Sequence, residues 1–441
     1  VEAFVDNDEP LKRNELVKEL LDRNDDYAQH WLTFWNDALR NDYSGTGYIT
    51  GGRFQITDWL YDALARNKPY DVFVKELISP NKSSQGFIRG IEWRGTVNAS
   101  QRVEMQAAQN VSQVFLGLNL KCASCHDSFI SDWTLKQAYD FANIFSDTTL
   151  EINRCDVPTG KMAGTGIIFS ELGTIDSTAN PEVKLKQLAA YLTAPGNGRL
   201  YRTIVNRIWS QLMGRGIVAP TDLMDNVPWD QDLLDWLAWD FVENKNDLKK
   251  LIFTIVTSRT YQLPSVEIKS EDEMLAEDYI FRGMHRRKLS AEQFADAVSA
   301  IVYPLYPDSA KAFKPSMKGT PAVRVRASLV KNDGFQTALG RPNRENVLTE
   351  RASMANLLQA LELTNGSLFN NVLESGARKW REQFKTSEEL VESLYMRALG
   401  RGPTIEEMKV AVNTLGNSPN DGAVEDFIWA VMLLPEFQLI Y

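Results

Sequence analysis

Between Asn14 and Leu39 the chain reads NELVKELLDRNDDYAQHWLTFWNDAL, and Leu16, Leu20, Leu21, Tyr27, Trp31 and Trp35 recur in it at roughly helical spacing. Residues three and four apart share one face of an α-helix, so this pattern predicts an amphipathic helical segment. Two longer stretches repeat it. Val183–Met213 carries Leu185, Leu188, Leu192, Ile204 and Ile208 and is expected as two helices broken at Ala194-Pro195-Gly196. Asp232–Ser258 is a third, rich in Leu, Trp and Ile. Helix starts are signalled where Ser290, Thr386 and Thr404 each precede a Gln or Glu by three positions. The hydroxyl can then accept from a free backbone N–H while the longer side chain reaches back. Alternating strand patterns are scarce, Ala322–Leu329 being the best short candidate. The expected fold class is mostly α, multi-helical, with few short strands.

Composition narrows the field. The 441 residues are long enough for two or three domains, and 11 Trp, 14 Tyr and 20 Phe supply ample side chains for buried cores. With 48 basic against 58 acidic residues the net charge is -10, which is not the footprint of a general nucleic-acid binder. No apolar run approaches the length of a membrane-spanning helix. Val1-Glu2-Ala3-Phe4 shows neither an initiator Met nor a signal-like apolar region, so the sequence is expected to start inside a longer precursor. From Asn153 to Pro181 the chain turns Gly-, Thr- and Ser-rich with no sustained period. The expected organisation is therefore a helical domain at 1–150, a linker or loop at 151–182 and a second helical domain at 183–441.

Three cysteines are too few for a disulfide-stapled scaffold. Two of them stand in Leu120-Lys121-Cys122-Ala123-Ser124-Cys125-His126-Asp127, a Cys-x-x-Cys-His stretch with the spacing of covalent c-type haem attachment. Two thiols three positions apart reach the two vinyl groups on one porphyrin edge, and the next residue offers an imidazole nitrogen to the iron. One covalent haem c per chain, bound by Cys122 and Cys125 with His126 as the iron ligand, is the expected cofactor. Other readings stay open. A thioredoxin-like pair would want a βαβ context, whereas these flanks look helical. A zinc site would need two more soft ligands, and only Cys155 and two distant histidines are on offer.

The sixth iron position decides the functional class: filled by His or Met the iron shuttles electrons, open it can bind a substrate. His30, on an aromatic-rich helix, is either a buried hydrogen-bonded histidine or a distal ligand or acid–base group. His285, flanked by cations, is expected to be exposed. Met105, Met162 and Met213 are further possible ligands. Haem propionates need cations, and Arg341 and Arg344 are the first candidates, with Arg207 and Arg259 next. The same arginines could instead bind an anionic sugar. Asp225 with Asp230, and Glu271-Asp272-Glu273, read as solvated carboxylates. Gly160, Gly164 and Gly166 lack a phosphate-binding frame. Trp31, Trp35, Trp209, Trp236, Trp239 and Trp429 read as core.

Phe115-Leu116-Gly117-Leu118 followed by Cys122-Ala123-Ser124-Cys125-His126-Asp127 resembles the first domain of the Planctomycete cytochrome-associated proteins, exported bacterial proteins with two paired domains of unknown function. His30-Trp31-Leu32 and Pro69-Tyr70-Asp71 also fit. Val205-Asn206-Arg207-Ile208-Trp209, Gly214-Arg215-Gly216-Ile217-Val218 and Gly340-Arg341-Pro342 are similar to the second domain. The resemblance implies export to the periplasm or cell surface and a haem-type redox setting. It departs at Ser128, where many relatives have a second His, and at Gln211, Leu212 and Met213, where relatives often have one or two. Three functions follow as expectations. The first is a haem-dependent oxidoreductase or redox subunit linked to carbohydrate breakdown, with a redox partner or fused cytochrome domain and an anionic polysaccharide or sugar as partners. The others are an electron-transfer cytochrome and a surface protein stapled by haem. On the first reading two helical domains surround the covalent haem.

Overall fold

The periodic stretches fold as helices, and their interruptions mark where apolar burial starts and stops. The computed structural model describes the whole chain except residues 1, 44–54, 268–269, 277, 308–324, 353–355 and 417, and the side chains of residues 2, 3 and 271. Asn14–Leu39 is divided at Arg23 between helices Lys12–Asp22 and Asn24–Ala38. The first buries none of its residues. The second, α1, buries Tyr27, Trp31, Leu32 and Trp35 along one stripe. The Ala194–Gly196 break falls as expected, between Pro181–Leu192 and Gly198–Met213. Asp232–Ser258 contains a break that periodicity alone does not mark: Gln231–Glu243 ends before Lys245 and Asn246, both at positive φ, and the Asp247 side chain caps Leu248–Val256.

The described residues form two compact units that do not follow chain order. The larger comprises Arg13–His285 and Arg344–Glu350, the smaller Val1–Lys12, Arg286–Asn343 and Arg351–Tyr441. The expected 151–182 linker thus lies inside the larger unit, together with the first hundred or so residues of the expected second domain.

In the larger unit α1 packs on α2 (Thr57–Ala65), and the almost fully buried Trp35 ring meets Phe34, Tyr70 and Phe73, the last at 4.7 Å between centroids. Tyr70 opens α3 (Tyr70–Ile78) and touches Phe241 of Gln231–Glu243, tying the N-terminal helices to later ones. Next along the chain come α4 (Val103–Leu116) and α5 (Leu135–Ala142). A hairpin follows, with β1 (Glu151–Arg154) antiparallel to β2 (Val157–Met162). It lies partly in the stretch read as irregular, and its β2 strand is exposed throughout, so no apolar alternation announces it.

The smaller unit is built from helices Ala291–Ile301, Leu357–Asn365, Ser367–Gln383, Ser387–Leu399, Ile405–Leu415 and Asp421–Met432. They close over Phe294, Phe335, Phe369, Trp380 and Ile428. Reciprocal capping boxes form at Ser290 and Thr404, whereas at Thr386 the hydroxyl accepts from the Glu389 amide. The expected strand at Ala322–Leu329 is corrected where it is described: Ala327–Leu329 is a 3-10 turn. The Asp296 carboxylate draws in both the Arg326 side chain and the Ala327 amide, which bends the backbone away from an extended run. Ala322, Val323 and Arg324 lie outside the described residues.

Candidate functional site

Helix α4 delivers the cysteine stretch. It stops at Gly117, whose left-handed φ of 59° closes the helix while its amide bonds to Ser112; a side chain there would also run into Met224. The chain then makes a tight turn. Ser124 N–H donates to Leu120 O at 3.0 Å, and Cys125 N–H and His126 N–H both reach Cys122 O, at 3.1 and 3.2 Å. Such helix-like winding puts positions three apart on one side, so Cys122 and Cys125, both half-buried, share a face.

His126 follows, half-exposed, with Nδ1 2.7 Å from the Asp127 carbonyl oxygen. A carbonyl only accepts, so Nδ1 carries the hydrogen and Nε2 of the neutral ring keeps its lone pair for another partner. The loop beyond is pinned: Asp127 Oδ1 accepts from Leu135 N–H at 2.8 Å, and Ser128 N–H donates to Trp133 O at 2.9 Å. Phe129 lies 4.6 Å from the His126 ring, and it and Ile130 are 88% and 76% exposed, an unusual display of large apolar side chains beside an imidazole.

Beneath the turn runs a buried polar chain that the sequence reading missed. Ser124, fully buried, accepts from Gln109 Nε2 at 2.9 Å and donates to Lys121 O at 2.7 Å. Gln106 Nε2 donates to Gln109 Oε1 at 3.0 Å, and Arg40 Nη1 donates to Gln106 Oε1 at 2.7 Å and Asn110 Oδ1 at 3.2 Å. Arg40 Nη2 continues to Glu345 O, next to Arg344, whose Nε lies 2.8 Å from Asp37 Oδ1. The end of α1, α4, the cysteine turn and 344–350 are thereby joined, with Arg40, two residues past α1, as the link. Polar residues at 106, 109 and 110 of a helix otherwise rich in Ala and Val were its signal, because an amphipathic helix does not ordinarily turn amides inward.

A second cluster lies in the same unit. Asp222 accepts from Arg207, Thr349 and Gln113 at 2.9, 2.7 and 2.7 Å. Ser210 Oγ donates to Glu350 at 3.0 Å; burial pushes the Glu350 carboxyl up, and Asp222 adds to that.

The other singled-out residues are placed as follows. Arg344 and Arg341 belong to different units, and both guanidinium groups are buried against protein partners. Arg344 pairs with Asp37 and Asp42; Arg341 faces Glu292, Gln336 and the Ala327 and Val330 carbonyls. These partners take up donors that a haem propionate would use. Arg207 is likewise buried, on the Val114 and Gln113 carbonyls and Asp222, while Arg259 is exposed.

The buried reading of His30 and the exposed reading of His285 are both corrected. His30 is exposed on α1, meeting Trp31 edge-on, because the buried stripe of that helix runs through Tyr27, Trp31 and Trp35 instead. His285 is buried rather than exposed, its Nε2 2.6 Å from the Tyr279 hydroxyl and its amide on Met213 O; burial, then Arg215, holds its basicity down. Met105 and Met213 are buried, and Met162 is exposed on β2. Trp236 and Trp239, read as core, are 49% and 59% exposed on the outer face of their helix, whose buried stripe is Leu234, Leu237, Ala238 and Phe241. Among the described residues no group of three or more His, Cys, Asp and Glu side chains is arranged to hold a metal ion, and no helix is long and apolar enough to cross a membrane.

Two family models match the chain. The model of the PSCyt2 family, a protein of unknown function (DUF1549), matches residues 1–150, which include the whole cysteine turn. That of the PSD1 family, a protein of unknown function (DUF1553), matches residues 185–415. These are the paired domains found in planctomycete cytochrome-associated proteins. The chain belongs to the PSD1 family. The matches flank the Gly/Thr/Ser-rich stretch, although packing joins its two sides into one unit. No curated protein and no solved structure matches the chain.

Proposed function

We propose that the protein is an exported c-type haem redox protein, with Cys122 and Cys125 holding the haem covalently and His126 as its axial ligand, and that it serves as a redox subunit. The observation that carries this reading is the His126 ring, whose Nδ1–H is fixed on the Asp127 carbonyl so that Nε2 is left as a donor atom. The surroundings fit such a group. Both thiols are reachable on one face of a turn, and the exposed Phe129 and Ile130 offer apolar cover that a porphyrin would bury. Bound there, a haem supplies a one-electron iron couple.

This chain's own residues do the positioning. The Asp127 carbonyl fixes the tautomer and ring direction of His126, and the loop bonds at Leu135 and Trp133 hold that carbonyl in place. Ser124 anchors the turn on the Gln109–Gln106–Arg40 chain, which limits how far the thiols and imidazole can shift apart. Phe129 lies against the His126 ring and gives that side of the imidazole an apolar neighbour. Arg341 and Arg344 are left out of the cofactor site, their side chains being committed to buried carboxylates. Export and a link to carbohydrate breakdown rest on the family resemblance alone.

The test is an optical and EPR spectrum of protein matured in a host competent for c-type haem, oxidised and reduced, with and without cyanide or carbon monoxide. A haem spectrum unmoved by added ligands supports electron transfer with a filled sixth position. A high-spin spectrum that shifts on addition means an open iron and turns the reading towards an oxidoreductase. His126→Ala is expected to remove the axial-ligand signature, and an unchanged spectrum in that variant overturns the assignment.

A further inference from the structure

The third cysteine is absorbed by none of the chemistry above, and its position is specific. Arg154 pairs with Val157 across the β1–β2 hairpin, which leaves Cys155 and Asp156 as the two turn residues. Cys155 sits at φ +54°, a left-handed conformation that two-residue hairpin turns ordinarily fill with Gly, Asn or Asp. From there its amide N–H donates 2.8 Å to the carbonyl oxygen of Cys125.

That one bond bounds the distance between the two residues. A carbonyl oxygen lies about 2.4 Å from its own Cα and an amide nitrogen about 1.5 Å from its Cα, so the two Cα atoms are at most about 6.7 Å apart in any orientation. Disulfides span about 4.4–6.8 Å between Cα atoms. The hairpin tip is fixed rather than passing by: Asp156 Oδ1 accepts from Ala99 N–H at 3.0 Å, and Ala163 N–H donates to Leu150 O at 2.8 Å at the other end. Cys155 is exposed and Cys125 half-buried, so an oxidant reaches the pair.

We propose that Cys125 and Cys155 form a reversible disulfide. Each thiol gives up its hydrogen and one S–S bond forms. The two electrons and two protons reduce an external disulfide, either a small molecule or an oxidoreductase, to two thiols. A thioether and this disulfide both need the Cys125 sulfur, so oxidation closes that position to haem and reduction opens it. This last consequence rests on the haem reading; the bond itself does not.

The experiment uses the full chain made in a host without haem attachment, equilibrated with oxidised glutathione, alkylated and mapped by mass spectrometry. The expected result is a fall from three alkylatable thiols to one, with Cys122 alkylated and a peptide linking Cys125 to Cys155. Cys155→Ser, at an exposed site, is expected to keep the circular dichroism spectrum of the wild type and to lose this linkage. A Cys122–Cys125 bond in its place, three alkylatable thiols in a folded chain, or a linkage seen only in urea would each overturn the proposal. Absence of a haem spectrum in the matured protein would count against the haem reading and leave this result untouched.

Discussion

Replacing Arg344 with leucine takes the Arg344 guanidinium away from two buried carboxylates. The Arg344 side chain is fully buried, with Nε 2.8 Å from Asp37 and Nη1 3.8 Å from Asp42, whose side chains are 4% and 2% exposed. Removing one partner of a buried ion pair costs about 3–5 kcal/mol, because the remaining charge stays out of water and loses that partner's compensation. In a unit of this size each kcal/mol lowers Tm by roughly 2–4 °C, so Arg344→Leu should lower it by about 6–20 °C. The assay is thermal unfolding of the haem-free chain followed by near-UV circular dichroism. Had Arg344 held a haem propionate, the loss would appear only in haem-loaded protein. A change under about 1 kcal/mol in the haem-free chain refutes the reasoning.

Further outcomes follow from burial and charge. Burial raises the folded-state pKa of Glu350 above its ordinary 4.5, so the folded protein favours the protonated acid; that contribution is full below pH 4.5 and is lost as pH rises through the folded value. Glu350→Gln, which still accepts from Ser210, should therefore raise Tm at pH 7 and lose its advantage towards pH 4; parallel Tm–pH curves for the two proteins would count against this. His285 has the opposite sense. Burial lowers its pKa below 6.5, so its contribution is present above pH 6.5 and falls on acidification, and the Tm difference from His285→Gln should narrow between pH 7.5 and 5. Trp35→Ala should cost about 3–5 kcal/mol and Trp239→Ala about 0.5 kcal/mol or less in denaturant melts, because only the first ring is enclosed.

Much of the helical architecture was legible because it rests on local chemistry. The breaks at Ala194–Gly196 and the caps at Ser290 and Thr404 need only the residues on either side of them. The unit boundaries were not legible, because 344–350 joins the larger unit through contacts to residues some three hundred positions away, such as Arg344 with Asp37. The β1–β2 hairpin escaped for a different reason: its turn carries Cys155 where Gly or Asn would have signalled it, and β2 is exposed throughout. At the candidate site, Cys122, Cys125 and His126 are marked as candidates by spacing alone. Ser124 and Arg40, in a turn and just past a helix end, are not, and the inward amides at 106, 109 and 110 say only that a buried polar partner exists, not which one. The neighbours of His30 and His285 are poor guides to their exposure: aromatic company suggests a buried His30, and flanking cations suggest an exposed His285. The buried face of α1 and the hydrogen bond to Tyr279 decide the matter instead.

The most direct measurement is whether haem stays on the polypeptide after denaturation and acid–organic extraction, read as the pyridine haemochrome of the protein matured in a c-haem-competent host. One haem per chain is expected to stay on the wild type, with retention abolished in the Cys122→Ser, Cys125→Ser double variant. Haem that extracts completely from the wild type, or its absence from a folded chain in a host that matures a control cytochrome, would mean that Cys122 and Cys125 hold no covalent haem.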